Sequence, residues 1–166
     1  MKQYLDKLNK FQIFNSLNSN EIQLFHENME LKIFSANSTI VNEGDDGESL
    51  LFLLSGEVII TKALTLLTSQ SNIDNREKAM DKVSGEVSFG EMSMFSKNDK
   101  RTATISAKEK CEIGFLDQEK FWKVCEKNPN IGFIVMKNIG KLLVNNLNRT
   151  NNQVLKLTTA LGLMLD

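Results

Sequence analysis

The amino-acid sequence predicts an α+β fold in which antiparallel strands lie between short N-terminal helices and C-terminal helices, the last of them long. Apolar residues recur at helical spacing before residue 30 and after residue 117. The segment between them carries short apolar runs and apolar–polar alternation, broken by glycine turns. The 166 residues suffice for one domain with a well-formed core. We expect N-terminal helices over 1–30, a strand region over 31–116 and C-terminal helices over 117–166.

The N-terminal segment predicts two short helices. Leu5 and Leu8 begin one apolar stripe, and Ile22 begins another. Asn18 is followed three positions later by Glu21, the spacing of a capping box with Asn in place of Ser or Thr. We therefore expect the second helix to begin directly after Asn18.

The strand region is read from its apolar runs and turns. Leu50–Leu54 is a continuous apolar run of strand length, preceded by the turn residues of Glu43–Gly47. Thr102–Ala107 alternates polar and apolar residues, as a half-buried strand does, and Cys111–Leu116 is the last predicted strand. Within residues 63–82, Ala63–Leu67 can extend a strand, whereas we expect the polar Thr68–Glu77 to be a loop.

Two residues place the C-terminal helices. Asp117 is a good N-cap for the first of them, and Pro129 suits the first turn of the second. After Pro129 the chain contains no further proline, so one long helix is expected to the end.

Composition argues against several classes of function. The net charge is -1, without the basic stripe of an electrostatic nucleic-acid binder. His26 is the only histidine, and Cys111 and Cys125 lack metal-type spacing, so we expect no metal site and no enzyme. No apolar run approaches the ~18 residues of a membrane span, and the N-terminus lacks a signal-peptide core, so a cytoplasmic protein is expected.

The residues that most clearly indicate a binding site lie between positions 88 and 105. Glu91 directly follows Gly90, and Arg101 lies ten positions after Glu91. The small residues Thr102 and Ala103 come directly after Arg101. Arg binds phosphate through two parallel charge-assisted hydrogen bonds, whereas an ionised carboxylate accepts hydrogen bonds from sugar hydroxyls. Glycine lets the backbone approach a ligand closely. The pattern is that of an anion site beside a sugar-hydroxyl acceptor.

This stretch resembles the phosphate-binding cassette of the cyclic nucleotide-binding domain family, which includes the catabolite activator protein and the regulatory subunits of protein kinase A. The upstream segment 40–58, an acidic glycine turn leading into a strand and a Ser-Gly turn, is similar to the first half of that family's domain. The resemblance implies an eight-stranded, jelly-roll-like antiparallel β-barrel (a double-stranded β-helix) with its cassette at 88–105. It also implies a sensor that binds a cyclic nucleotide and needs no further cofactor.

The resemblance assigns a role to each site residue. Glu91 would bind the ribose 2′-hydroxyl and Arg101 the cyclic phosphate, with Thr102 completing the cradle. The other expected ligand-binding residues are Phe89, Gly90, Met92, Ser93, Ala103, Ile60 and Met80. In this family the last helix lies over the base, and Asn146 is the expected base contact there, with Asn145, Arg149 and Thr150 as neighbours.

The long helix carries an apolar seam. Leu143, Leu147, Thr150, Val154, Leu157, Leu161 and Met164 alternate at spacings of four and three. An a/d pattern sustained over about three heptads favours a parallel homodimer through this helix. The seam does not identify a downstream partner protein.

Three functions remain open from the sequence. The first is a cyclic-nucleotide sensor, for which we favour cyclic AMP over cyclic GMP, although Thr102 is compatible with both and does not decide between them. The second is a ligand-independent dimeric scaffold of the same fold. The third is part of a transcription regulator of the catabolite activator type. Because only Leu165 and Asp166 follow the seam, we expect a stand-alone domain without DNA binding.

Overall fold

The computed structural model describes residues 2–66, 74–95 and 100–165, and it describes their side chains except those of 2, 63–66, 74–80 and 165. Within these ranges helices precede and follow a strand region, as predicted. Two short 3₁₀ turns at Gln12–Phe14 and Met92–Met94 complete the described elements. The helices are α1 Lys2–Leu8, α2 Ser19–His26, α3 Gln118–Lys127 and α4 Pro129–Leu165. The strands are β1 Met29–Phe34, β2 Thr39–Val41, β3 Ser49–Ser55, β4 Glu57–Leu66, β5 Asp74–Ser84, β6 Ser88–Phe89, β7 Thr104–Ala107 and β8 Cys111–Asp117.

The strands form two antiparallel sheets of four. One has the order β1-β8-β3-β6, and the other has the order β2-β7-β4-β5. Hydrogen-bonded ladders join neighbours within each sheet, and the described strands do not close into one barrel. The antiparallel sheets are confirmed, and the closed jelly-roll-like barrel stays a prediction.

Strand β3 explains why its sequence is continuously apolar. Leu50 and Phe52 point to a core shared with the helices, whereas Leu51 and Leu53 point to a core between the sheets. Successive side chains on a strand face opposite sides, so a strand buried on both faces needs apolar residues throughout. The aromatic ring of Phe52 stacks on that of Phe14 at a centroid distance of 5.3 Å.

The three predicted helix starts, after Asn18, after Asp117 and at Pro129, are confirmed. The Asn18 side chain accepts a hydrogen bond from the Glu21 backbone N–H at 3.1 Å, and Glu21 accepts one from the Asn18 N–H at 2.8 Å. This reciprocal pair is the capping box. Asp117 caps α3 by accepting from the backbone of Glu119 at 2.9 Å.

The loop expected from Thr68 to Glu77 is wrong for its last four residues. Strand β5 begins at Asp74 and pairs with β4 from Leu66↔Asp74 to Glu57↔Ser84. β5 is an edge strand, and edge strands tolerate polar residues. The polar composition of this segment therefore does not distinguish a strand from a loop. Residues 67–73 lie outside the described part of the chain.

Helix α4 has a packed first part and an exposed second part. Ile131, Val135 and Ile139 are buried in the core that β3 shares with the helices, which we call the helix-side core. Asn138 is also buried, and its Nδ2 donates to the carbonyl oxygens of Ile13 at 3.2 Å and Asn15 at 2.8 Å. From residue 144 to residue 164 every side chain is exposed. Despite the 37 residues of α4, none of the described helices combines the length and apolar character that crossing a membrane requires.

Both cysteines are free thiols inside the protein. Burial raises the pKa of Cys125 to about 11 and that of Cys111 above its usual value. Since the thiolate is the reactive form, these are inert packing residues at neutral pH.

Candidate functional site

A cavity of about 520 Å³ lies against the end of β6, the 3₁₀ turn after it and the loop before β7. Its volume is within the range of small-molecule sites, about 300–1,000 Å³. The cavity has a polar end at Glu91, Arg101 and Thr102 and an apolar wall that includes Ile60 and Val83. It is lined by Val41, Ile60, Asp81, Val83, Val87, Ser88, Phe89, Gly90, Glu91, Met92, Ser93, Lys100, Arg101, Thr102, Ala103, Ile105, Asn146 and Arg149.

The backbone of Arg101 is fixed by the acidic turn that precedes β3. Its N–H donates to the Asp45 carbonyl at 2.8 Å, and its carbonyl accepts from the Gly44 N–H at 2.9 Å. Gly44 has φ +87, a conformation that suits glycine. The Asp45 carboxylate accepts from the backbone and side chain of Asn42, which lowers the pKa of Asp45. The upstream turn and the cassette therefore form one unit.

The Arg101 side chain is partly buried at the polar end of the cavity. Its Nη2 donates to Ser49 Oγ at 3.0 Å, whereas its Nε is buried and has no hydrogen-bond partner among the described residues. Burial lowers the pKa of Arg101, and the nearby Asp45 charge opposes that effect, but an arginine stays cationic at neutral pH. A buried cation with an unused donor is suited to an anionic ligand, because an unmade hydrogen bond there costs free energy.

Gly90 makes room for that guanidinium. A Cβ at this position would lie 2.5 Å from Arg101 Nη1 and 2.9 Å from the Ser49 carbonyl oxygen, and φ is +83. The Ser93 hydroxyl donates to the Gly90 carbonyl at 2.6 Å and holds the turn. Glu91 follows directly, so the turn places its carboxylate on the wall that also carries Arg101.

Helix α4 crosses one side of the cavity. Asn146 Nδ2 donates to Glu91 Oε1 at 2.9 Å. One turn further along, Arg149 forms an ion pair with Asp81 of β5. These contacts bring a residue of the last helix onto the carboxylate predicted to bind sugar.

Ten of the eleven predicted site residues line this one cavity. Met80 lies in β5, at the register shift opposite Ile60 and Thr61, and its side chain is outside the description. Cassette residues 96–99 also lie outside it. Among the predicted neighbours on α4, Arg149 lines the cavity, and the Thr150 hydroxyl donates to its own helix at the Asn146 carbonyl.

Sequence reasoning missed two groups at the site. Asp81 lies on β5, where the sequence pattern predicted no strand, and it is opposite Ile60 in the β4–β5 register. Ser49 lies directly after the acidic turn and contacts Arg101 only because β3 and the cassette meet in the fold. A hydroxyl after an acidic glycine turn was the available signal for Ser49, whereas Asp81 required the strand register.

His26 does not belong to the cavity. Its ring stacks on Tyr4 at a centroid distance of 5.9 Å, and both ring nitrogens are buried without a hydrogen-bond partner among the described residues. Within the same ranges, no group of three or more His, Cys, Asp or Glu side chains is arranged to hold a metal ion.

Comparison with known proteins gives a family and relatives. The pattern of the family described as "Cyclic nucleotide-binding domain" matches residues 31–128, more than half of the chain. A relative from Haemophilus influenzae, the "cAMP-activated global transcriptional regulator CRP", is 23% identical over 128 residues. That match covers 77% of this chain and 54% of the relative, so the chain spans about half the length of this curated relative.

Two solved structures share the fold. A cyclic nucleotide-binding domain from Methylobacillus flagellatus has a TM-score of 0.75 and 22% identity, covering 93% of this chain and 82% of its own. The regulatory domain of Toxoplasma gondii PKA with cAMP has a TM-score of 0.62 and 27% identity, covering 74% of this chain and 43% of its own.

Proposed function

This chain belongs to the cyclic nucleotide-binding domain family, and on that premise we propose that it binds a cyclic nucleotide as a regulatory protein. The observation that carries the proposal is the partly buried Arg101 guanidinium, whose Nε has no partner among the described residues, at the polar end of the cavity with Glu91. A cyclic phosphate supplies the missing acceptor, and its ribose supplies a hydroxyl for the carboxylate.

The phosphate is bound by Arg101, the Thr102 hydroxyl and the backbone amides of Met92 and Ala103. Arg101 is the strongest of these because a charge-assisted hydrogen bond is roughly twice as strong as a neutral one. Glu91 accepts from the ribose 2′-hydroxyl through its second oxygen, Oε2, which has no partner among the described residues. The site therefore selects a cyclic ribonucleotide over a deoxyribonucleotide, because the lost hydroxyl leaves the carboxylate unsatisfied.

The base lies toward the apolar wall formed by Ile60 and Phe89, with Met80 as a further candidate and Asn146 above it. Asn can pair with the amine and ring nitrogen of adenine. We favour cyclic AMP over cyclic GMP, and two relatives support this choice. The Haemophilus influenzae relative is named as activated by cAMP, and the Toxoplasma gondii domain is described with cAMP.

Ligand binding is coupled to the position of α4, and α4 also mediates a parallel homodimer. The exposure of its seam supports the dimer: Leu147, Val154, Leu157 and Leu161 are 59%, 55%, 65% and 60% exposed. Leu143 is partly buried at the start of the seam. A second copy removes this apolar surface from water. The nucleotide then shifts the population of helix positions according to its affinity for each.

The same exposed seam is the observation that favours a ligand-independent dimeric scaffold as the second candidate. A scaffold that binds no ligand leaves the Arg101 Nε donor without an acceptor, at a cost in free energy. We therefore rank the scaffold below the sensor. Membership of a longer transcription regulator, the jelly-roll closure of the strands and a cytoplasmic location stay predictions.

The test is isothermal titration of the nucleotide-free protein with cyclic AMP and, separately, with cyclic GMP. We expect micromolar or tighter binding of one of them, with cyclic AMP the tighter. A folded, nucleotide-free protein that gives no heat with either ligand contradicts the sensor and leaves the scaffold.

A further inference from the structure

The second part of α4 is attached to the rest of the chain by few contacts. Apolar packing ends at Leu142 and Leu143, which are partly buried against the helix-side core. Beyond them, every side chain of α4 through residue 164 is exposed. The buried Asn138 amide fixes the helix just before this point, through carbonyls of the 13–15 segment. The exposed part thus continues as one helix from a firm anchor, and polar side chains attach it to the other described elements.

Two polar contacts form this attachment. Among the described residues, the hydrogen bonds and ion pairs from α4 beyond residue 139 to other elements are Asn146–Glu91 and Arg149–Asp81. They lie one helical turn apart on the same side of α4. All four residues line the cavity. Both attachments of the exposed helix are therefore formed by residues that line the candidate ligand site.

The Arg149–Asp81 pair differs from the first contact in its chemistry. Its side chains are 64% and 43% exposed, so the pair is solvated and weak enough to open readily. Asp81 belongs to the edge strand β5, on the sheet that also provides the apolar wall, whereas Glu91 belongs to the cassette. Among the side chains that the structure describes, the ion pair is therefore the polar contact that joins α4 to that strand.

We propose that Asp81 and Arg149 form a clasp that holds α4 across the mouth of the cavity and so sets how fast a ligand enters and leaves. Asp81 is then a positioning residue of the site without touching the ligand. This inference rests on the proposed function for its ligand, although the clasp itself is a property of the free protein.

A clasp that does not touch the ligand has a distinctive kinetic consequence. Entry and exit both require it to open, so weakening it accelerates both rates by the same factor and leaves Kd unchanged. An exposed ion pair contributes enough to change each rate about two- to fivefold. A ligand contact behaves differently, because removing it weakens Kd, mostly through faster dissociation.

The test measures association and dissociation of a fluorescent C8-substituted cyclic AMP by stopped flow. Asp81→Asn, which keeps the shape of the side chain, and Arg149→Gln, which removes the charge and shortens the side chain, are compared with the charge-swapped double variant D81R/R149D. We expect both rates to rise about two- to fivefold in each single variant and to return toward wild type in the double variant. Lys156→Gln is the matched control, because Lys156 is exposed two turns beyond Arg149 on the same side of α4.

Three results would each overturn the clasp. They are unchanged rates in the single variants, a weaker Kd in which only dissociation is accelerated, and no recovery of the rates in the double variant. Hydrogen exchange in the ligand-free protein separates this inference from the proposed function. We expect amides of residues 144–152 to exchange faster in both single variants and to recover in the double variant, whether or not the nucleotide binds. Equal exchange in all variants would also overturn the clasp.

Discussion

Gly90 satisfies a backbone requirement and a packing requirement at once, and the two can be separated. Its φ of +83 disfavours any residue with a Cβ, at about 1–2 kcal/mol. In addition, a Cβ would lie 2.5 Å from Arg101 Nη1. Gly85 has a similar φ of +89, but a Cβ there meets nothing within 4 Å.

We therefore expect Gly90→Ala to lose more stability than Gly85→Ala and to be the only one of the two that weakens ligand binding. Both lower the free energy of unfolding by about 1–2 kcal/mol through backbone strain, and Gly90→Ala loses more because its Cβ also meets the Ser49 carbonyl oxygen. Only Gly90→Ala displaces the guanidinium, so only it weakens nucleotide binding, by about tenfold or more. Thermal unfolding and calorimetric titration measure the two effects. Equal affinities in the two variants would show that Gly90 does not shape the site.

Helix α4 has two halves with different physical roles. Its first half packs through Ile131, Val135 and Ile139, as any core helix does. Its second half presents apolar residues to solvent, and the side chains of Leu155 and Leu157 are each 65% exposed. In the a/d pattern Leu157 lies on the seam, whereas Leu155 lies on the opposite flank. These two residues, equal in type and exposure, allow the dimer to be tested.

We expect Leu157→Lys to convert a dimer to a monomer and Leu155→Lys to leave it a dimer. A lysine on the seam places a charge in an apolar interface in both copies, where it loses hydration without a partner. Sedimentation equilibrium at micromolar concentration measures the change, for which we expect at least about tenfold weaker association. A monomeric wild type, or equal effects of the two substitutions, would contradict the parallel seam.

At the scale of the whole molecule, sequence reasoning succeeded where short-range chemistry decides the structure. The capping box at Asn18 and the cap at Asp117 were predictable because each partner lies within three residues. The cassette was predictable because its spacing resembles a known family. The role of Met80 remains a prediction, since its side chain falls outside the described side chains, and cassette residues 96–99 lie outside the described part of the chain.

Long-range pairing decides the features that the sequence did not reveal. Strand β5 is polar and was expected to begin with a loop, because only its register with β4 makes it a strand. The same register places Asp81 opposite α4, where it meets Arg149. The link between Arg101 and Asp45 joins segments more than fifty residues apart, so no local pattern encodes it.

Local chemistry and long-range packing meet at Arg101. The acidic turn fixes its backbone, Ser49 holds one guanidinium nitrogen, and the buried Nε is left for an anion. If this arrangement binds a cyclic phosphate, removing the guanidinium leaves the phosphate without its main partner, at about 2–5 kcal/mol.

The most direct test is calorimetric titration of cyclic AMP into the nucleotide-free wild type and into Arg101→Ala, with unfolding curves to show that both are folded. We predict micromolar or tighter binding by the wild type and a loss of about thirtyfold or more in the variant, as 2–5 kcal/mol implies. Equal affinity of the two proteins would contradict the account, because Arg101 would then not be the phosphate-binding residue.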